Sequence, residues 1–211
     1  MSRAPSFGGV ILAAGDSSRM RSDKALLEWP PSTQGRAPSA ETFLSAAIRS
    51  LEDSTDFVVI VAGKNASSLA PIVYSLGSSL VTNPDPDQGQ FSSLQVGLRE
   101  VMNRGRDAAI ITLVDRPPAA IVTVKHLRRA FEAAPSNIWA VVPEFSGKHG
   151  HPYVVGREMI ERFLQAPDTG NARDIEHQYH DRIQYVPVED PFVAMNINTP
   201  EDYAALTTRS S

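Results

Sequence analysis

Eight short apolar runs constrain what this chain can fold into. They are GVILAA (9–14), FVVIVA (57–62), SLVTN (79–83), AAIITLV (108–114), IWAVVP (138–143), PYVV (152–155), IQYVPV (183–188) and FVAMNI (192–197). They are rich in β-branched residues, and several are apolar at successive rather than alternate positions. A strand with two apolar faces must be covered on both, so these runs call for a sheet between two layers of helices. The helices are visible between the runs. Phe43, Leu44, Ala47, Ile48 and Leu51 form one helical stripe, and Leu94, Leu98, Val101 and Met102 a second. Val124, Leu127 and Phe131 form a third, and Met159, Ile160, Phe163 and Leu164 a fourth. Such alternation predicts a Rossmann-like, doubly wound α/β sheet, three layers deep and mostly parallel. The length of 211 residues fits one domain over 1–211, with its core at about 8–207. The breaker-rich stretch WPPSTQGRAPS (29–39) reads as a surface loop rather than a linker.

Charge and cysteine usage narrow the function. The formal net charge of −4 argues against a broad nucleic-acid surface. A polyanionic ligand would have to be met locally, by a few side chains, backbone N–H groups or a metal. There is no cysteine, which excludes thiolate zinc sites and a thiol nucleophile. The opening MSRAPSFGG lacks the apolar stretch of a signal peptide, and no run reaches membrane-spanning length. The expectation is a soluble, cytoplasmic protein without a membrane partner.

The first run ends at a glycine and continues as AAGDSSRM (13–20), with Arg19, Arg21 and Lys24 close behind. A strand that exits through small residues into a helix start can bring backbone N–H groups to phosphate oxygens. The stretch is neither G-x-G-x-x-G nor a P-loop. Read alone, it is equally a tight strand exit followed by a capped surface turn.

LAAG-x-SSRM followed by KALL (24–27) resembles the signature of the nucleotidyltransferases that include molybdopterin cytidylyltransferases and guanylyltransferases. The resemblance continues in order through NPDPDQGQFSSLQVGL (83–98), LVDRPP (113–118), GKHGHPYVVGRE (147–158), DTGNARDI (168–175) and MNINTPEDY (195–203), and spans roughly residues 8 to 207. It implies the nucleotidyltransferase version of the fold. The implied reaction is Mg²⁺-dependent transfer of a nucleotidyl group from a nucleoside triphosphate to a phosphorylated acceptor such as molybdopterin, releasing pyrophosphate. A molybdoenzyme would be the eventual recipient. LAAG and GHP resemble the cytidylyl branch and so imply CTP. Asp23 beside Lys24, with Asn196 and Asn198, resembles the guanylyl branch. Sugar-phosphate transfer on the same fold, or a nucleotide-binding accessory role in molybdoenzyme maturation, are the alternatives.

The resemblance also implies roles for residues. Leu12, Ala13, Ala14, Gly15, Gly89, Ser92 and Ser93 would line the nucleotide. Arg19 would hold the β- and γ-phosphates, and Lys24 would sit nearer the α-phosphate. Asp115, at the end of an apolar strand, and Asn196 would be metal ligands. His151, Asn171 and Arg173 would lie on the acceptor side. Two departures from the family pattern stand out. Arg21 occupies a position that is commonly glycine, and Asn196-Ile197-Asn198 replaces Asp-x-Asp. An amide oxygen can bind Mg²⁺ but brings no charge, which leaves a second metal ligand open. If 192–197 is a strand, alternation sends Asn196 and Asn198 to the same face. Thr199, Pro200 and the acids after them describe an ordinary helix start. His177 and His180 fall on a helix and lack further ligands at zinc spacing.

Overall fold

The computed structural model describes residues 3–15, 23–31 and 39–206. Its strands are β1 (Phe7–Ala13), β2 (Phe57–Ala62), β3 (Ser79–Thr82), β4 (Ala108–Leu113), β5 (Ala140–Phe145), β6 (Lys148–His149), β7 (Tyr153–Gly156) and β8 (Ile183–Pro187). Its helices are α1 (Phe43–Glu52), α2 (Ala66–Ser75), α3 (Gln90–Asn103), α4 (Ile121–Ala133), α5 (Arg157–Gln165), α6 (Ala172–Gln178) and α7 (Pro200–Ala205). The strands form one mixed sheet in the order β3-β2-β1-β4-β7-β5-β6, with β8 paired to β5. Pairings β3–β2, β2–β1, β1–β4 and β5–β8 are parallel, while β7 runs antiparallel to β4 and β5.

Side-chain alternation along β1 divides the core. Phe7 and Ile11 face one layer, where they pack with Leu44, Ile48 and Leu51 of α1, Leu69 and Val73 of α2, and Val124 and Leu127 of α4. Val10 and Leu12 face the other, against Leu94, Leu98 and Val101 of α3 and Met159, Ile160 and Phe163 of α5. This is the three-layer arrangement that the doubly apolar runs require. Helix α3 lies close on the sheet because residue 97 is glycine: a Cβ there would stand 2.5 Å from Val10 Cγ1. A third, aromatic cluster joins Trp29, Phe43, Phe192 and Tyr203. It ties the segment after Lys24 to the C-terminal segment. Among the described residues no helix is long and apolar enough to cross a membrane.

One reading of the sequence is corrected. Residues 192–197 do not form a strand. Asp190 Oδ1 accepts from Phe192 N at 3.0 Å, Pro191 fixes the first position, and a 3-10 turn runs over Pro191–Ala194. Helix α2, for which the sequence analysis has no stripe, carries Pro71 and buries only Leu69 and Val73. By contrast, Thr199 caps α7 as expected, in a reciprocal capping box with Asp202.

Candidate functional site

Strand β1 has β2 and β3 on one side and β4 on the other, so the chain reverses its winding between β1 and β4. Ligands in such sheets bind outside the carboxyl ends of the strands at that point. Two cavities open there. The smaller, about 250 Å³, is lined by Leu12, Ala14 and Gly15 from the end of β1, and by Lys24. Its other walls are Gly89, Gln90 and Ser93 at the start of α3, Leu113, Val114 and Asp115 after β4, and Asn198. The larger, about 650 Å³, includes Arg116, His149, His151, Tyr153, Asn171, Arg173 and Glu176. The cavities share Leu12, Gly89, Gln90 and Leu113 as a common wall.

Each wall has a local cause. Gly89 holds φ 101°, a conformation that favours glycine, and it leaves the first N–H groups of the fourteen-residue α3 at the smaller cavity without a side-chain cap. Buried Asn83 fixes this corner, donating through Nδ2 to Ser92 Oγ at 2.8 Å and to Ser93 Oγ at 2.9 Å. On the opposite wall, Asp23 caps the short turn Lys24–Leu26 by accepting from Ala25 N at 3.0 Å. Its second oxygen accepts from Asn65 Nδ2 at 2.7 Å, and the same amide donates to Ala13 O at 3.0 Å. Lys24 Nζ then donates to Asn198 Oδ1 at 3.3 Å.

Most of the residues expected from sequence come together here, divided between the two cavities. Leu12, Ala14, Gly15, Lys24, Gly89, Ser93 and Asp115 line the smaller one, and His151, Asn171 and Arg173 the larger. Ala13 does not: alternation turns it into the opposite layer, with α1 and α2. Ser92 is turned to its own helix, donating to Gly89 O at 2.9 Å. Asn196 is exposed and lines neither cavity, because 195–198 is irregular and its backbone is set by Ile197 N donating to Asp115 O at 2.9 Å. The asparagine at the cavity is Asn198. Arg19 and Arg21 lie outside the described residues. The sequence reading passed over Asn65, Asn83 and Arg116, although Arg116 directly follows Asp115.

The electrostatics are local. Asp115 Oδ1 is buried with no hydrogen-bond partner among the described residues. A carboxylate oxygen withheld from protein donors at a strand end suits a hard divalent cation that takes its remaining ligands from phosphate and water. No cluster of three acidic, His or Cys ligands exists among the described residues, so such an ion would rest on Asp115 and, through an amide oxygen, Asn198. Burial, followed by the Arg116 charge, holds His151 well below the ordinary histidine range. Burial pushes the Glu176 carboxyl up, against the pull of Arg173, and pushes the Tyr153 hydroxyl well up. His177 and His180 form no metal pair. His180 Nδ1 lies 3.0 Å from His177 O instead.

The profile of the MobA-like NTP transferase domain matches residues 9–183. The molybdenum cofactor cytidylyltransferase of Escherichia coli is 25% identical over 204 residues, covering 95% of each chain. A probable molybdenum cofactor guanylyltransferase of Mycobacterium avium is 26% identical over 211 residues, covering 98% of each. Among solved structures, Rv0371c of Mycobacterium tuberculosis superposes with a TM-score of 0.77 at 24% identity, over 97% of this chain and 98% of that one. Its complex with manganese gives 0.72 at 22% identity, over 95% and 97%.

Proposed function

This chain belongs to the MobA-like NTP transferase family and is a nucleotidyltransferase; from that premise we propose that it transfers CMP from CTP to the phosphate of a molybdopterin acceptor. The observation that carries this reading is the shared wall. A cavity with an ammonium, a carboxylate and a helix start adjoins a larger one lined by Arg116 and Arg173. A triphosphate in the first would present its α-phosphorus to an acceptor phosphate in the second.

An oxygen of the acceptor phosphate attacks the α-phosphorus. The bond from that phosphorus to the bridging oxygen breaks, and pyrophosphate leaves. The attacking oxygen is ionised near neutral pH, so no general base is needed. The work left to the protein is positioning and charge neutralisation. Lys24 offsets the negative charge that grows on the departing pyrophosphate. The N–H groups at the start of α3 hold phosphate oxygens, and Arg19 the β- and γ-phosphates. Asp115 and Asn198 would hold Mg²⁺, which when bound neutralises triphosphate charge. The product would pass to a molybdoenzyme in the cytoplasm.

Support for CTP comes from Ala14, which lines the smaller cavity and belongs to the LAAG run that resembles the cytidylyl branch. Asn198 in that cavity supports the guanylyl alternative. Equal CTP and GTP offered with molybdopterin and Mg²⁺ decide between them. The cytidylyl product should predominate by about ten- to a hundredfold, the cost of mispairing a buried polar edge. Predominant GMP incorporation would overturn the choice of base.

A further inference from the structure

Arg116 is a half-buried cation to which the proposed transfer assigns no individual role. It lies on the larger cavity, one residue beyond Asp115. Its Nη1 donates to Val193 O at 3.2 Å, while its Nε is buried without a partner among the described residues. No ion pair holds it among the described residues. Its surroundings are rigid. The Val193 carbonyl also accepts from His151 N at 2.9 Å, and a Cβ on Gly150 would lie 1.7 Å from that same oxygen. Burying a guanidinium without a bound carboxylate is costly. Groups left in this condition are characteristic of sites completed by a ligand.

The cavity shares the bias. Arg116 and Arg173 line it against one carboxyl, Glu176, which burial disposes toward neutrality. The chain as a whole carries −4. A guanidinium fork suits a phosphate oxygen pair.

We propose that Arg116, pinned on the Val193 carbonyl with an unpartnered Nε, seats the anionic group of the acceptor in the larger cavity and so restricts the enzyme to negatively charged acceptors. This rests on the reading of that cavity as the acceptor side. The probes are phenyl phosphate and its uncharged counterpart phenol, titrated by calorimetry into the wild type, Arg116→Gln and Arg116→Lys, each saturated with Mg²⁺ and CTP. Phenyl phosphate should bind the wild type at least about tenfold more tightly than Arg116→Gln, with Arg116→Lys between them, and phenol should not bind. The Arg116 Nε–H resonance of ¹⁵N-arginine-labelled wild type should move with phenyl phosphate only, which decides the matter even if a variant does not fold. A smaller loss, no phosphate binding by the wild type, or a resonance that stays still would overturn the proposal. Thermal shift with the four nucleoside triphosphates separates the two claims. If none stabilises the wild type, the nucleotide reading fails, whatever Arg116 does.

Discussion

Replacing Asn65 with Ala removes three hydrogen bonds behind the wall of the smaller cavity. Its Nδ2 donates to Asp23 Oδ2 at 2.7 Å and to Ala13 O at 3.0 Å, and its Oδ1 accepts from Gly63 N at 3.1 Å. The loops after β1 and β2 are already in contact: a Cβ on Gly63 would lie 2.8 Å from Ala14 O. Asn65 is therefore the polar link that holds Asp23, and through it the Lys24 turn, against the end of β1. A net hydrogen bond contributes about 1 kcal/mol and one to a charged group somewhat more; with water replacing part of the loss, the cost is about 2–3 kcal/mol. In a chain of this length that lowers Tm by about 4–12 °C. Thermal unfolding followed by circular dichroism measures it. Because Lys24 loses its anchor, kcat should also fall more than KM rises. Asn65→Asp is the control. It keeps the acceptor for Gly63 but loses both donors and sets a negative charge against Asp23, so it should be at least as damaging as Ala. A Tm within about 2 °C of wild type for Ala, or full recovery in Asp, would refute the assigned role.

Lys24→Ala should lower the rate of transfer more than it weakens CTP binding, since charge on the leaving oxygens grows toward the transition state; equal losses in single-turnover and binding measurements would reduce Lys24 to a binding group. Gly150→Ala should cost about 3 kcal/mol or more in urea unfolding, because its Cβ would meet the backbone of Val193 at 1.7 and 2.4 Å and neither segment can give way cheaply. His151 gives a pH signature. Its pKa is depressed in the fold, so the unfolded chain takes up a proton below the ordinary 6.5 while the folded chain stays neutral. Stability is then fully present above pH 6.5 and falls as pH drops, by up to about 1.4 kcal/mol per unit, until the folded value is reached. His151→Gln should flatten that part of the profile.

Why some of this was legible beforehand can be seen residue by residue. The runs at 57–62 and 108–114 became β2 and β4 because both faces had to be covered, a demand written in consecutive apolar letters. Asp115, Lys24 and Gly89 could be singled out because each falls in one of the ordered motifs that resemble the family's signature. Asn198 could not be told from Asn196 by alternation, because Pro191 and the Asp190 cap replace the expected strand with a 3-10 turn. Asn65, Asn83 and Arg116 were opaque for another reason. Each acts through a partner in another segment: Asn65 through Asp23 and Arg116 through the carbonyl of Val193, both far along the chain, and Asn83 through the serines of α3 across the intervening turn. A single polar residue in a loop carries no periodic signal, so its role exists only once the fold brings the partner to it.

The most direct test of the central claim is pyrophosphate release by purified wild type and by Asp115→Ala, each with CTP, Mg²⁺ and molybdopterin. The wild type should release one pyrophosphate for each acceptor converted and none when the acceptor is left out. Asp115→Ala should release none while remaining folded by circular dichroism, since Asp115 Oδ1 has no hydrogen bond to lose among the described residues and the cost is confined to the charge that Arg116 loses beside it. Near wild-type release by Asp115→Ala, or no release from the wild type with any triphosphate, would contradict the account.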